Sequence, residues 1–264
     1  MSLDVSSLFS VKNKVAVVTG GSRGIGEMLA SGFLANGAKV YITARKEDAL
    51  NLKAKELVEK FGGECIPFCV DLSSIDGVNE FVKFISDSES GGVDFLINNA
   101  GAAWGHPFES FPESGWDKVM DLNVKSPFFL TQKFKPLLAK KGDSEDPSRV
   151  VNIASIDGIR LPLMETFSYT ASKSAIIHLT RHLAKTLVKD NIIVNAIAPG
   201  PFDSHMLGKA VNFDYSFIAE SIPRKRIGSP EDIAGRCLYL CSSCLLYTSP
   251  SPRDQRGSRM PSSA

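Results

Sequence analysis

The sequence predicts a single α/β domain built on a doubly wound parallel sheet, and three observations carry that expectation. Short apolar runs of strand type alternate with amphipathic helical stretches, and strands separated by helices pair in parallel through right-handed crossovers. The first run, Val15–Val18, is unbroken, as expected of a strand buried on both faces. It leads directly into Thr19-Gly-Gly-Ser-Arg-Gly-Ile-Gly26, after which Ile25, Met28, Leu29 and Phe33 recur at helical spacing.

The rest of the chain continues the alternation. Residues 38–43 read as a second strand and Glu47–Phe61 as a helix carrying Leu50, Leu52, Leu57 and Val58. Residues 64–70 form a third strand ended by Asp71, and 74–88 a helix with Val78, Phe81, Val82 and Ile85 on one side. A fourth strand, 93–97, runs into Asn98-Asn99-Ala100-Gly101. One long helix is expected over 115–140, then a polar loop over 141–148. A fifth strand at 149–153, a helix at 167–189, a sixth strand at Ile192–Ile197 and a helix at 233–241 complete the pattern.

Composition narrows the function. With 264 residues, 43% hydrophobic and 22% charged, the chain can build a full core. A net charge of +1 leaves no basic footprint for nucleic acid and no polybasic membrane patch. No apolar run reaches membrane-spanning length, and residues 1–10 lack the basic and apolar segments of a secretory signal, so a cytoplasmic location is expected. None of the five cysteines has zinc-type spacing with nearby histidines; buried, reduced thiols are expected and no metal site. His178 and His182, one turn apart, read as a packed or interface face.

Strand, glycine turn and helix place backbone N–H groups and the positive end of a helix dipole at one point, a geometry that binds pyrophosphate. A glycine turn alone is equally a tight strand-to-helix connection. Here Thr19–Gly26 resembles the cofactor loop of the classical short-chain dehydrogenases/reductases, a resemblance extending over about residues 11–243. It implies a Rossmann-type dinucleotide-binding fold, with Gly20, Ser22, Arg23, Gly24, Ile25 and Gly26 at the cofactor. It also implies that Asp71-Leu72 contacts the adenine, that Asn99-Ala100-Gly101 lies beside the adenosine ribose, and that Pro199-Gly200 faces the nicotinamide, with Ser204 where threonine is usual. Cofactor choice is read at the end of the second strand, where an acid would select NAD by accepting from the ribose 2′-hydroxyl. The chain has Thr43-Ala44-Arg45-Lys46 there, and Arg45 with Arg23 suits a 2′-phosphate; NADPH is the expected cofactor.

Ser155 lies just past the fifth strand, and Tyr169 and Lys173 stand four apart near the start of a helix, on one face. A tyrosine titrates near pH 10 in water, and an adjacent ammonium should bring it toward neutrality, making an acid–base group. Ser155 can hydrogen-bond a substrate carbonyl oxygen. A Tyr-x-x-x-Lys pair by itself is an ordinary helix face. The order and spacing of Ser155, Tyr169 and Lys173 match the catalytic set of the family. Asn123 matches the family's further asparagine, which holds a water in the proton relay; kinking or capping a helix is its other reading. The resemblance also implies that Tyr169 and Lys173 meet the nicotinamide ribose, and that a homodimer or homotetramer forms through the helices at 115–140 and 167–189.

Apolar residues gather where substrate would enter: Trp104, His106 and Phe108; Ile159, Leu161, Leu163 and Met164; and Phe202, Met206, Leu207, Phe213, Tyr215 and Phe217 in a lid-like stretch. Within the family, the segments Gly101–Gly105, Ser155–Ile159 and Ala198–Phe202 most resemble 3-oxoacyl-thioester reductases, including the rhamnolipid-pathway type. The expected activity is NADPH-dependent reduction of a 3-oxoacyl thioester or similar hydrophobic ketone. An alcohol, polyol or steroid dehydrogenase on the same scaffold is the alternative, and a nucleotide-sensing binding protein the non-enzyme one. The end of the chain departs from the family. Cys244–Asp254 and Ser258–Ala264 are what a transposase-type sequencing adapter encodes on either side of a variable index, and Pro250, Pro252 and Pro261 oppose a strand. Residues 244–264 are therefore expected to be a non-native, disordered tail after a reductase domain at 1–243, with the family's final strand missing.

Overall fold

A computed structural model describes residues 4–162, 164–204, 208 and 214–245. Its sheet has six parallel strands in the order β3-β2-β1-β4-β5-β6: β1 Val15–Val18, β2 Lys39–Ala44, β3 Cys65–Cys69, β4 Phe95–Asn98, β5 Ser148–Ile153 and β6 Ile192–Ile197. The connections are α2 (Gly24–Ala35), α3 (Glu47–Phe61), α4 (Ile75–Ser88), α5 (Glu113–Met120), α6 (Ser126–Lys141) and α7 (Phe167–Leu187). A short α1 (Val5–Leu8) precedes them; α8 (Ser216–Ser221) and α9 (Pro230–Cys241) follow. The expected tail and missing strand fall mainly on 246–264, outside the described residues.

Each central strand feeds two cores, which is why its apolar run is unbroken. Ala16 and Val18 of β1 pack on one side with Leu29, Phe33, Leu50 and Ile233, under α2, α3 and α9. Val15 and Val17 pack on the other with Phe81, Leu130, Phe134 and Ala184, under α4, α6 and α7. Phe95 and Ile97 against Leu96 of β4, and Val151 and Ile153 against Val150 of β5, repeat this alternation. The chain leaves β1 toward β2 and returns across it to β4, so the order reverses between β1 and β4 and opens a crevice at their carboxyl ends.

The single helix expected over 115–140 is broken. A π turn, Asp121–Lys125, separates α5 from α6. Pro127, in the first turn of α6, has no N–H for the carbonyl four residues back, which is that of Asn123. The thiol expectation also needs correction: Cys237 and Cys241 are buried, but Cys69 and Cys244 are exposed and Cys65 lies between. No helix among the described residues is long and apolar enough to cross a membrane.

Candidate active site

The glycine turn is held from both sides of the crevice. Gly21 N–H donates to the Thr43 carbonyl of β2 at 3.0 Å, and Gly20 N–H to Thr43 Oγ1 at 3.3 Å. Thr19 Oγ1 accepts from the Asn99 and Ala100 N–H groups, each at 2.9 Å, and Asn99 Nδ2 donates to the Thr19 and Gly20 carbonyls at 2.8 and 3.2 Å. Asn99, expected beside a ribose, is thus the clamp that fixes the loop. Thr19 and Thr43, which the motif reading passed over, are its other fasteners; a threonine at each strand's carboxyl end was the available signal.

The glycines are required by the loop itself as well as by a ligand. Gly20 and Gly24 have φ of +69° and +57°. A Cβ on Gly26 would strike the Gly20 carbonyl oxygen and lie 2.5 Å from Asn99 Nδ2. Arg23 occupies the N-cap of α2 and provides no side-chain cap, leaving the first-turn N–H groups to an anion. Ser204 stands over this opening, 3.2 Å from where a Gly24 Cβ would sit. A cradle that a single methyl would fill, beside an uncapped helix start, fits a dinucleotide pyrophosphate. At the crevice's outer end Arg45 is 60% exposed and 3.8 Å from Asp71, whose other oxygen accepts from Ser73 N–H at 2.9 Å. Leu72 is buried in the core.

The second half of the site joins β5, β6, the π turn and α7. Ile156 N–H donates to the Pro199 carbonyl at 2.9 Å, tying the segments after β5 and β6 together beside Gly200. Ser155 is buried, and its Oγ accepts from Asp157 N–H at 3.1 Å, starting the short helical turn Ile156–Gly158. Tyr169 and Lys173 lie on α7 as expected. Lys173 is buried, donates to the Ile153 carbonyl at 2.8 Å and sits 5.5 Å from the Tyr169 ring centroid. Asn123 is buried in the π turn: Oδ1 accepts from Ala102 N–H at 2.8 Å, and Nδ2 donates to the Ala102 carbonyl and Ser172 Oγ, both at 2.9 Å. Ser172 Oγ in turn donates to the Tyr169 carbonyl at 2.7 Å. The Asn123 side chain therefore ties α7 to the segment after β4.

The electrostatics differ from the sequence-based expectation. Burial pushes the Tyr169 phenol above its ordinary 10.0; the Ser155 hydroxyl draws it down and Asp157 pushes it up. The Lys173 ammonium donates to the Ile153 carbonyl while lying over the Tyr169 ring. Burial lowers Lys173 itself to about 8.

The apolar entrance is only partly as expected. Phe108, Phe111, Trp116, Leu161, Met164 and Phe167 line an open groove of about 870 Å³. Phe167, Thr170 and Ala171 line it from α7, and none of Ser155, Tyr169 and Lys173 is among its lining residues. Trp104 packs on Gly115 of α5 under Lys118, and Phe202 is a core residue against Gly228. His178 and His182 are exposed. Leu163, Met206, Leu207 and Phe213 lie outside the described residues.

A parallel sheet with a glycine cradle at its switch point, and a serine, tyrosine and lysine across the crevice, defines a dinucleotide-dependent oxidoreductase. The chain belongs to the short-chain dehydrogenase family, whose sequence profile matches residues 14–214. It is 42% identical, over 90% of its length and 93% of the relative, to the rhamnolipids biosynthesis 3-oxoacyl-[acyl-carrier-protein] reductase of Pseudomonas aeruginosa. It is 35% identical to the 2-dehydro-3-deoxy-D-gluconate 5-dehydrogenase of Dickeya dadantii, over 92% and 94%. Its fold matches the Pseudomonas aeruginosa RhlG/NADP active-site complex with a TM-score of 0.85 and 40% identity, covering 89% and 92% of the two chains.

Proposed function

We propose that the protein is an NADPH-dependent reductase that converts 3-oxoacyl thioesters to their 3-hydroxy products. The observation that carries this reading is the meeting of Ser155, Tyr169 and buried Lys173 opposite the glycine cradle. When bound there, the reduced nicotinamide supplies a hydride to the substrate carbonyl carbon. Ser155 Oγ then orients the carbonyl oxygen, and the Tyr169 hydroxyl delivers the proton that oxygen needs as it gains charge. Because burial keeps the Tyr169 phenol protonated, it is ready to donate at neutral pH. Lys173 would hold the nicotinamide ribose while supporting the ring, and Asn123 keeps α7 tied to the segment after β4.

Exposed Arg45 and Arg23, with no acid at the end of β2, favour the 2′-phosphate of NADPH. The substrate class rests on similarity to the Pseudomonas aeruginosa reductase. A polyol or sugar-acid dehydrogenase is the second reading, favoured by the Dickeya dadantii relative. Exposed Phe108 and Leu161 beside α5 and α7 suit burial in a homodimer or homotetramer. A spectrophotometric panel of a 3-oxoacyl thioester, a ketosugar acid and a steroid ketone with NADPH tests the substrate. The thioester is expected to give the highest kcat/KM; faster turnover of the sugar acid would replace the first reading by the second.

A further inference from the structure

The sequence has no acid at the end of β2, yet the fold brings one there from the neighbouring strand. β2 and β3 run in parallel with Ala44 opposite Cys69, and Val70 N–H donates to the Ala44 carbonyl at 3.0 Å. Arg45 and Asp71 therefore leave the sheet side by side, and Asp71 Oδ2 lies 3.8 Å from Arg45 Nη1. The carboxylate is placed by its own backbone. Its Oδ1 accepts from Ser73 N–H at 2.9 Å, and a Cβ on Gly77 would strike the Asp71 carbonyl oxygen, so α4 starts directly against it. Ser74, the N-cap of α4, accepts from Gly77 N–H at 3.0 Å and closes that turn. Burial pushes the Asp71 carboxyl up, but two bonds from Ser73 and the Arg45 guanidinium bring it below its ordinary 3.8, so it is charged at neutral pH. Glu47 and Asp48, the acids nearest to Arg45 in sequence, sit in the first turn of α3. Among the described ion pairs, the partner of Arg45 is Asp71.

We propose that Asp71 is a specificity-determining residue of the cofactor site, a counter-charge that pairs with Arg45 and narrows the preference for a 2′-phosphorylated adenosine. The inference rests on Arg45 meeting the 2′-phosphate. A phosphate that takes the guanidinium must share it with a fixed carboxylate and meets that like charge. A 2′-hydroxyl meets no such repulsion and can donate to a carboxylate, as it does where an acid ends the second strand. The adenosine end of the crevice thus carries both signs, and the chain prefers NADPH over NADH by a smaller margin than Arg45 alone would give. The pair is exposed, 60% at Arg45 and 48% at Asp71, so its effect is modest and screened by salt.

Calorimetric binding of adenosine 2′,5′-bisphosphate and of 5′-AMP to the purified protein reads the effect without substrate or turnover. The quantity is the ratio of the two affinities, in which a contact of Asp71 with the adenine cancels. Asp71→Asn keeps the oxygen that accepts from Ser73 and removes the charge. It should raise the preference for the bisphosphate about three- to tenfold at low salt, a gain that shrinks toward nothing near about 1 M salt. Asp71→Glu keeps the charge and should stay near the wild-type ratio, and Arg45→Gln should lower it toward one. A merely structural role for Asp71 weakens both nucleotides alike and leaves the ratio in place, which overturns the proposal. A raised ratio that Asp71→Glu shares, or that salt does not reduce, overturns it as well. If Arg45→Gln leaves the ratio unchanged, the reading of Arg45 as the phosphate ligand falls, and this inference with it. If Arg45→Gln lowers the ratio and Asp71→Asn does not raise it, only the counter-charge role falls.

Discussion

Replacing Lys173 with methionine should stabilise the fold at neutral pH while destroying function, because the wild-type side chain is charged where burial disfavours charge. Lys173 is buried, and that burial lowers its ammonium from the ordinary 10.5 to about 8. A lysine with a depressed native value destabilises the fold fully below that value. The penalty fades as pH rises from about 8 and is gone above the unfolded value of 10.5. The difference corresponds to about 3 kcal/mol at pH 7. Against this, methionine leaves the Ile153 carbonyl without its 2.8 Å partner, a pH-independent cost of about 1–3 kcal/mol. The robust quantity is therefore the change with pH in the stability difference between variant and wild type, in which other titrating groups cancel. Urea unfolding at pH 7 and near pH 10.5 should show the advantage of Lys173→Met shrinking by about 3 kcal/mol as pH rises. A stability difference independent of pH would refute the burial of a titrating ammonium at this position.

Other expectations follow from the same geometry. Gly26→Ala puts a methyl against the Gly20 carbonyl and Asn99 Nδ2, and should cost about 1–3 kcal/mol of stability and most dinucleotide affinity, read by thermal melting and cofactor fluorescence. Gly200→Ala, where a Cβ meets nothing within 4 Å, should cost far less stability. Asn123→Ala removes three hydrogen bonds between the π turn, Ala102 and Ser172, and should lower stability by roughly 2–3 kcal/mol and reduce kcat, measured on the same preparation. Arg45→Asp should weaken NADPH binding about ten- to a hundredfold in calorimetry and leave NADH within a few-fold; equal losses would mean that Arg45 does not meet the phosphate.

The order of strands and helices was legible because apolar periodicity reports burial, and burial here is simple: β1 faces a core on each side and reads as an unbroken run, while α4 faces one and reads as a stripe. The break at Asp121–Lys125 was not, since the apolar spacing passes through it; the informative residue was Pro127, which acts on Asn123 four positions earlier. At the site, Ser155, Tyr169 and Lys173 could be placed from strand ends and helix spacing. The electrostatics could not, because spacing puts Lys173 on the same face as Tyr169 but does not reveal that the Ile153 carbonyl takes its ammonium. The groove shows the limit of counting apolar residues, for Leu161 and Phe167 are close in sequence to Ser155 and Tyr169 yet line a groove that neither Ser155 nor Tyr169 lines.

The central claim is that the Tyr169 hydroxyl supplies the proton in carbonyl reduction. Tyr169→Phe keeps the ring that packs 5.5 Å from the Lys173 ammonium and removes only the hydroxyl. NADPH oxidation with a saturating 3-oxoacyl thioester should fall by about two to four orders of magnitude in this variant, with NADPH affinity retained within a few-fold. A Tyr169→Phe protein that binds NADPH and turns over the thioester at the wild-type rate would contradict the account.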